Sequence, residues 1–303
     1  MEDRVKYLVW LSLVPGIGAV KINKLLEFYK EPEAIWKDST NGLKRLPFLN
    51  INDINRICDK KYKEILNIKI DEIYRNNIRP ISIYDEEYPD NLKNIYAPPS
   101  ILYCKGTMLK NEKYIAIVGS RKATSYGNNM SEVIAKELSK LGFTVVSGMA
   151  RGIDSIAHWA TLNNGGRTIA VLGCGLDTVY PRENKKLMEK ISESGMVISE
   201  YLPGIPPLAQ NFPARNRIIS GMSLGVIVIE AGEKSGSLIT ANFALEQGRE
   251  VFAVPGNLMN RKSVGTNKLI REGAKIITSI EDIIEEIRDF DYPEKLNKIL
   301  SGY

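Results

Sequence analysis

The sequence IAIVGSRK, residues 115–122, decides the fold that we expect of this chain. Its first half is four consecutive apolar residues, and its second half is a glycine followed by small polar and basic side chains. A short continuous apolar run of this kind indicates a strand with both faces covered, as in a parallel sheet. The glycine predicts a tight turn after the strand.

Five further apolar runs follow along the chain, at residues 144–146, 168–172, 196–198, 226–229 and 251–254. Helical segments separate them, among them residues 128–141, 152–163 and 238–247. Strands that alternate with helices are typical of a doubly wound α/β fold with a mostly parallel sheet. We therefore expect residues 114–289 to form one α/β domain, closed by a helix over residues 280–287.

The N-terminal part has the apolar spacing of helices. Residues 1–75 predict a small all-helical domain of helix-hairpin-helix type, in which residues 14–18 form a glycine-rich turn. Such a turn either packs two helices together or offers its backbone amides to a DNA phosphate. Residues 76–113 predict a proline-interrupted connector whose short strands join the sheet, and residues 290–303 predict a tail.

The composition narrows the class of protein. The net charge of +5 over 303 residues is a mild excess, so any DNA binding has to come from local clusters. No apolar run reaches the roughly eighteen residues of a membrane span, and the N-terminus lacks the layout of a signal peptide. The three cysteines are scattered without metal-ligand spacing. These features predict a cytosolic protein without a membrane span or a bound metal.

The loops after the predicted strands carry the functional signal. Ligands bind beyond the carboxyl ends of the strands in such a sheet, and nearly every strand here ends in glycine with hydroxyl or basic neighbours. Glycine lets the backbone approach an anion, while helix-opening amides and an arginine fork bind phosphate. The candidate residues in these loops are Gly119, Ser120, Arg121, Ser147, Gly148, Arg151, Gly236 and Ser237.

Residues 212–217, FPARNR, form a second cluster at the start of a predicted helix. Arg215 and Arg217, on either side of Asn216, are two positions apart and do not share a helix face, so we expect one at the site and the other beside a structural carboxylate. Phe212 is either a core residue or a platform for a base. Three basic residues lie near the start of the helix after the third predicted strand: Arg182, Lys185 and Lys186. They either form a solvated helix face or extend the site.

Several enzyme classes are disfavoured. The glycine pattern of dinucleotide-binding proteins and the Gly-Lys-Ser/Thr of P-loop proteins are both absent. The single histidine, His158, is expected to be a packed residue rather than a ligand, and it makes histidine-based catalysis improbable. Three carboxylates, Asp154, Asp177 and Glu230, keep a nucleotide-handling hydrolase open as an alternative. We expect no catalytic residue and no cofactor.

Taken in order, these loops resemble the DNA-processing protein A family, also called DprA or Smf. The matching stretches lie between about residues 114 and 280, and the helical N-terminal part resembles the family's small SAM-like domain. They are Gly119-Ser120-Arg121, the 147–158 loop and helix start, Gly173 to Pro181, Phe212 to Ile219, Ser235 to Ala241 and Ala253 to Gly256.

The resemblance implies an extended Rossmann-like fold and a non-catalytic protein. Such a protein would bind single-stranded DNA, load the recombinase RecA onto it, protect incoming DNA in natural transformation, and form a homodimer through the α/β domain. It also implies that residues 119–121 clamp the DNA backbone, and that residues 212–217 and the basic residues after Pro181 line the same groove. Many members have a C-terminal winged-helix-like domain, which we expect to be absent here.

Overall fold

A computed structural model of the chain describes residues 2–287, and its centre is a nine-stranded sheet. The strands are β1 Arg79–Ser82, β2 Ile101–Gly106, β3 Tyr114–Val118, β4 Thr144–Ser147, β5 Thr168–Leu172, β6 Met196–Ser199, β7 Gly225–Val228, β8 Glu250–Ala253 and β9 Lys275–Ile276. Their order across the sheet is β1-β2-β6-β5-β4-β3-β7-β8-β9. Neighbours from β6 to β9 are parallel, while β2 is antiparallel to both β1 and β6.

The six apolar runs of the sequence form β3 to β8, which confirms the doubly wound fold. Each of these strands is buried along its length except at the first residue of β8, because helices cover both faces of the sheet. The helices of this part are α8 Asp90–Lys93, α9 Ser125–Lys140, α10 Ile153–Asn163, α11 Lys185–Ser194, α12 Asn211–Met222, α13 Gly236–Glu246, α14 Val264–Arg271 and α15 Glu281–Glu286.

The connector supplies the antiparallel edge of the sheet. The first short strand of the connector is β1, where Pro80 lies opposite Tyr103 of β2. Proline is tolerated there because an edge strand leaves half of its amides unpaired. The two-residue β9, at the opposite edge, is too short to show in the sequence pattern.

Seven helices precede the sheet within the described part of the chain. They are α1 Asp3–Leu13, α2 Ala19–Tyr29, α3 Pro32–Lys37, α4 Thr40–Leu43, α5 Ile51–Cys58, α6 Lys60–Glu64 and α7 Leu66–Arg75. Their buried side chains form one hydrophobic cluster with Tyr103 of β2 and Leu172 of β5. The hydroxyl groups of Ser12 and Tyr103 are also hydrogen-bonded at 2.8 Å. The helices are therefore packed directly onto one face of the sheet.

None of the helices within residues 2–287 is long and apolar enough to cross a bilayer. The predicted tail at residues 290–303, and with it the expectation about a winged-helix domain, lies outside the described residues.

The order of the strands reverses at β3, which has β4 on one side and β7 on the other. Crevices form at such a switch point because the helices after neighbouring strands leave on opposite faces.

Candidate functional site

A cleft of ≈ 730 Å³ opens at the carboxyl end of β3, at this switch point. We call it the central cleft. It is bounded by the loop after β3, the start of α10, the first half of α12 and the start of α13. The predicted site residues that line it are Gly119, Ser120, Arg121, Phe212, Arg215, Asn216, Gly236 and Ser237.

The loop after β3 is held by close backbone packing. A Cβ atom on Gly119 would lie 2.7 Å from Ile153 Cγ1, and one on Gly152, which has a φ of +73°, would lie 2.3 Å from the Ser120 carbonyl oxygen. The Ile153 amide donates to the same oxygen at 3.2 Å. Glycine is required at both positions because a side chain would separate the loop from α10.

Arg121 projects from this loop as an exposed side chain. Its guanidinium lies 5.8 Å from the centre of the Phe212 ring, and no carboxylate within the described residues pairs with it. Beneath it, Ser120 is buried and its hydroxyl accepts hydrogen bonds from the Lys122 amide and the Lys262 ammonium, both at 3.2 Å. The Arg121 guanidinium and the Lys262 ammonium therefore both lie at the loop after β3.

Arg215 forms the floor of the cleft and is 4% exposed. Its Nη1 donates to the carbonyl of Gly148 at 2.9 Å and to that of Val171, and its Nε donates to Asn216 Oδ1 at 3.1 Å. Burial lowers its pKa to about 10, so the guanidinium remains charged at neutral pH. Arg215 therefore ties the ends of β4 and β5 together and gives the floor a fixed positive charge.

Phe212 forms an aromatic wall of the cleft. Its ring lies 5.3 Å from that of Tyr180, centre to centre, and is flanked at 5.8 Å by the guanidinium groups of Arg121 and Arg215. Phe212 is half-buried and Tyr180 is exposed. Of the two roles that the sequence left open for Phe212, the structure places it at the cleft surface, where one ring face can meet a ligand.

The start of α13 forms the opposite wall. The Ser235 hydroxyl caps the helix by accepting a hydrogen bond from the Ser237 backbone amide at 3.4 Å. The side-chain amide of Asn216 donates across the cleft to the Gly236 carbonyl at 3.3 Å. The open first turn of a helix carries partial positive charge and favours an anion. This wall therefore adds donors to those of the loop after β3.

Six predicted site residues do not line the central cleft. Ser147 is buried and donates to the Ile117 carbonyl at 2.6 Å, and Gly148 contributes only the carbonyl that Arg215 binds. Arg151 is paired with Glu183, and Arg217 with Glu200 at 2.5 Å. Arg182 and Lys185 are exposed at the start of α11, away from the cleft walls, and Lys186 is exposed beside them. Strand-end position alone does not show which way a side chain points.

Three lysines that line the cleft were not among the predicted site residues. Lys122 follows Arg121 directly, Lys234 precedes α13, and Lys262 reaches in from the loop after β8. Within residues 2–287 none of the three is paired with a carboxylate. Lys122 could have been found from its place in the quoted motif, whereas Lys262 carries no local signal.

Asp154 is the one carboxylate among the residues that line the cleft. Its burial raises the pKa to about 6, although Arg215 and Arg121 act in the opposite direction. Glu230 accepts from the Thr124 amide at 2.9 Å at the start of α9, and Asp177 accepts from the Gly204 amide at 3.0 Å. The three carboxylates of the hydrolase alternative are therefore engaged separately, and no group of three metal-ligating side chains occurs in the described residues.

His158 is a packed residue, as the sequence predicted. It is fully buried, and its Nδ1 lies 2.7 Å from Thr168 Oγ1. Because the Thr168 hydroxyl donates its proton to the Val145 carbonyl, His158 Nδ1 is the donor of that pair. Burial lowers the pKa of His158 to about 3, which keeps the ring neutral.

The glycine-rich turn between α1 and α2 has the features of a packing turn. Gly16 has a φ of +77°, and Ile17 is buried. Lys21 donates to the Gly16 carbonyl at 3.1 Å and is paired with Asp53 at 2.7 Å, while Arg56 donates to the Pro15 carbonyl at 3.2 Å. Lys21 and Arg56 are therefore both bound to backbone carbonyls of this turn.

Comparisons with known proteins agree with the fold. The sequence model of the family "DNA recombination-mediator protein A" matches residues 79–288. The chain is 48% identical over 221 residues to the DNA processing protein DprA of Bacillus subtilis, a match that covers 72% of this chain and 74% of the relative. It is 49% identical over 207 residues to DprA of Streptococcus pneumoniae, which covers 68% and 73%.

Two solved structures are similar along most of their length. The X-ray structure of DprA from S. pneumoniae has a TM-score of 0.75 and 38% identity, and covers 93% of this chain and 97% of that one. A structure of DNA processing protein A from Helicobacter pylori has a TM-score of 0.63 and 32% identity, and covers 75% and 99%. The latter is described for the single-stranded DNA binding mode of the H. pylori protein.

Proposed function

This chain belongs to the DNA recombination-mediator protein A family, and on that premise we propose that it binds single-stranded DNA in the central cleft. The family consists of recombination mediators that bind DNA, not of catalysts. The observation that carries the proposal is the charge of the cleft: four cations without a carboxylate partner in the described residues, Arg121, Lys122, Lys234 and Lys262, surround one buried acid.

Phosphates are the ligand that this arrangement favours. Arg121 offers a planar fork, the loop after β3 and the start of α13 offer backbone and hydroxyl donors, and Arg215 holds the floor positive. Phe212 and Tyr180 add exposed ring surface beside those cations. A cationic groove with aromatic side chains is how proteins bind a single strand without sequence preference, because every base has a stacking face.

The proposed contacts are the eight predicted residues that line the cleft, together with Lys122, Lys234, Lys262 and Tyr180. Ser147, Gly148 and Arg215 support the cleft from below, although only Arg215 also lines it. Arg151, Arg182, Lys185 and Arg217 are not proposed as contacts, since they lie outside the cleft walls.

The test is a fluorescence anisotropy titration with a 20-nucleotide dT strand and a duplex of equal length, at two salt concentrations. We expect salt-sensitive binding that favours the single strand. The charge-reversed variant K122E/K262E should lose most of it, whereas K44E/R45E, which changes two exposed cations outside the cleft, should not. Equal loss in both variants would show that net charge, and not the cleft, accounts for binding.

We propose further that the chain loads RecA onto the bound strand, works in the cytoplasm during uptake and recombination of DNA, and forms a homodimer through the α/β part. Membership of a family of recombination mediators supports these proposals. A strand-exchange assay tests the loading of RecA: the chain should increase strand exchange by RecA on DNA coated with a single-strand binding protein. Sedimentation equilibrium tests the dimer.

A further inference from the structure

The loop after β8, residues 255–262, displays two apolar side chains to solvent. Leu258 is 85% exposed and Met259 is 91% exposed. Burial of either side chain would be favourable, so their adjacent exposure at one loop tip points to a surface that becomes covered.

The loop is ordered by its own hydrogen bonds. Asn267 brackets Gly256, accepting from its amide at 3.1 Å and donating to its carbonyl at 2.9 Å. At the tip, the Asn257 side chain accepts from the Met259 amide at 2.8 Å, and the Asn257 carbonyl accepts from the Asn260 amide at 2.9 Å. The two apolar side chains are therefore held out by a fixed backbone.

A notch of ≈ 410 Å³ lies beside the loop, lined by Tyr126, Pro255, Gly256, Asn257 and Asn260. The Tyr126 hydroxyl donates to the Pro255 carbonyl at 2.9 Å and leaves the side chain 45% exposed. We call this the side notch. It offers an aromatic surface next to the two aliphatic side chains.

The side notch is built from the same two chain segments as one end of the central cleft. Tyr126 lies in the first turn of α9, which follows Arg121 and Lys122, and Lys262 ends the loop that carries Leu258 and Met259. The hydrogen bond from Lys262 to Ser120 joins these segments inside the cleft. A strand whose phosphates reach Lys262 would therefore contact the loop whose other residues line the side notch.

Charge along this loop favours an anionic partner such as a nucleic acid over a neutral or cationic one. No aspartate or glutamate occurs in residues 255–262, whereas Arg261 and Lys262 do. Leucine and methionine are side chains that pack against or between bases in other DNA-binding proteins. Cations for the backbone and apolar side chains for the bases are thus present on one loop.

We propose that Leu258 and Met259 pack against bases of the single strand where it leaves the central cleft at Lys262, and that Tyr126 is the surface on which one of those bases stacks. The inference rests on the proposed function and extends its footprint to a second contact region. It assigns bases to the side notch and phosphates to the central cleft.

The experiment compares wild type with L258A/M259A on two fluorescent 20-mers, one of dT and one made entirely of abasic deoxyribose phosphate. The two ligands carry the same backbone charge, and only the first has bases. Loss of contact with one or two bases should weaken dT binding roughly 5–30-fold, which is about 1–2 kcal/mol at about 1.4 kcal/mol per factor of ten, and leave abasic binding unchanged. The matched control is I51A/I68A, which removes aliphatic side chains that are 56% and 59% exposed on α5 and α7.

Unchanged dT affinity in L258A/M259A would overturn the inference while leaving the proposed function intact, provided that Arg121→Ala weakens binding. Equal losses on both ligands, or a change of oligomeric state in the variant, would also overturn it, the latter by showing a protein contact at this loop. Absence of dT binding by the wild type would refute the proposed function itself and this inference with it.

Discussion

Arg121→Ala is the substitution that tests the central cleft most directly. The side chain is exposed and has no carboxylate partner in residues 2–287, so its removal leaves no buried group unsatisfied and should not alter the free energy of unfolding. What it removes is one charge-assisted contact to phosphate, worth about 1.5–3 kcal/mol. At about 1.4 kcal/mol per factor of ten, affinity for a single strand should fall roughly 10–150-fold.

The dependence on salt gives a second, independent magnitude. If the four unpaired cations of the cleft each contact a phosphate, the logarithm of affinity should fall with the logarithm of salt with a slope of about −2.8, at about −0.7 per phosphate for single strands. Arg121→Ala should reduce that slope by about 0.7. Anisotropy titrations of a dT strand at four salt concentrations measure both quantities.

Arg45→Ala is the matched control, because Arg45 is also exposed and lies among the N-terminal helices. It should change neither affinity nor slope. Should Arg121→Ala leave both quantities unchanged, or should Arg45→Ala change them equally, the strand does not pass over the loop after β3 and the reasoning fails.

Three further predictions concern the cleft. Phe212→Ala should weaken single-strand binding roughly 5–150-fold through lost stacking of about 1–3 kcal/mol, and Phe212→Tyr should restore it; a variant series without this rescue would contradict the role as a ring platform. Because burial raises the pKa of Asp154 to about 6 and thereby above its unfolded value, this carboxyl contributes stability that increases as pH falls from about 7 towards 4, measured as the difference in unfolding free energy between wild type and Asp154→Asn. DNA affinity should rise through the same pH range as Asp154, the one carboxylate among the described residues that line the cleft, is neutralised, and the rise should be smaller in Asp154→Asn; His158, with a pKa of about 3, does not titrate there, so an equal rise in Asp154→Asn would refute the assignment. Arg215→Leu should lower the free energy of unfolding by about 2–6 kcal/mol, since it leaves two strand-end carbonyls without their donor at about 1–3 kcal/mol each; urea denaturation showing a loss below about 1 kcal/mol would mean that the floor is not held by this side chain.

The pattern of apolar runs was enough to predict the sheet. Residues 115–118 and the five later runs predicted buried strands because they are short and rich in β-branched residues, whereas a buried helix needs about ten or more residues. The edges were harder to predict, since β1 and the two-residue β9 are stabilised by their neighbours and not by their own composition. The loops that follow these strands also pointed to the family, which the periodicity of apolar residues alone could not do.

Part of the candidate site could likewise be predicted from local sequence, and part could not. Glycine and serine at the strand ends pointed to phosphate, and Gly119, Ser120 and Arg121 do line the central cleft. Arg215 and Arg217 had equivalent local sequence, yet the first is bound to strand-end carbonyls in the cleft floor and the second to Glu200 outside it. A spacing of two residues on a helix predicts that Arg215 and Arg217 face different ways, but it does not predict which of them faces the cleft.

The sequence by itself determined the α/β fold and the loops that would meet at one edge of its sheet, because hydrophobic periodicity and glycine positions are local properties. Only the tertiary structure decided which side chains share the cleft, because that depends on where β3 and β8 lie in the strand order. Lys262 is 142 positions from Ser120 in sequence, yet it is 3.2 Å away in space. The loop after β3 is therefore joined in the cleft by a cation that its own residues do not specify.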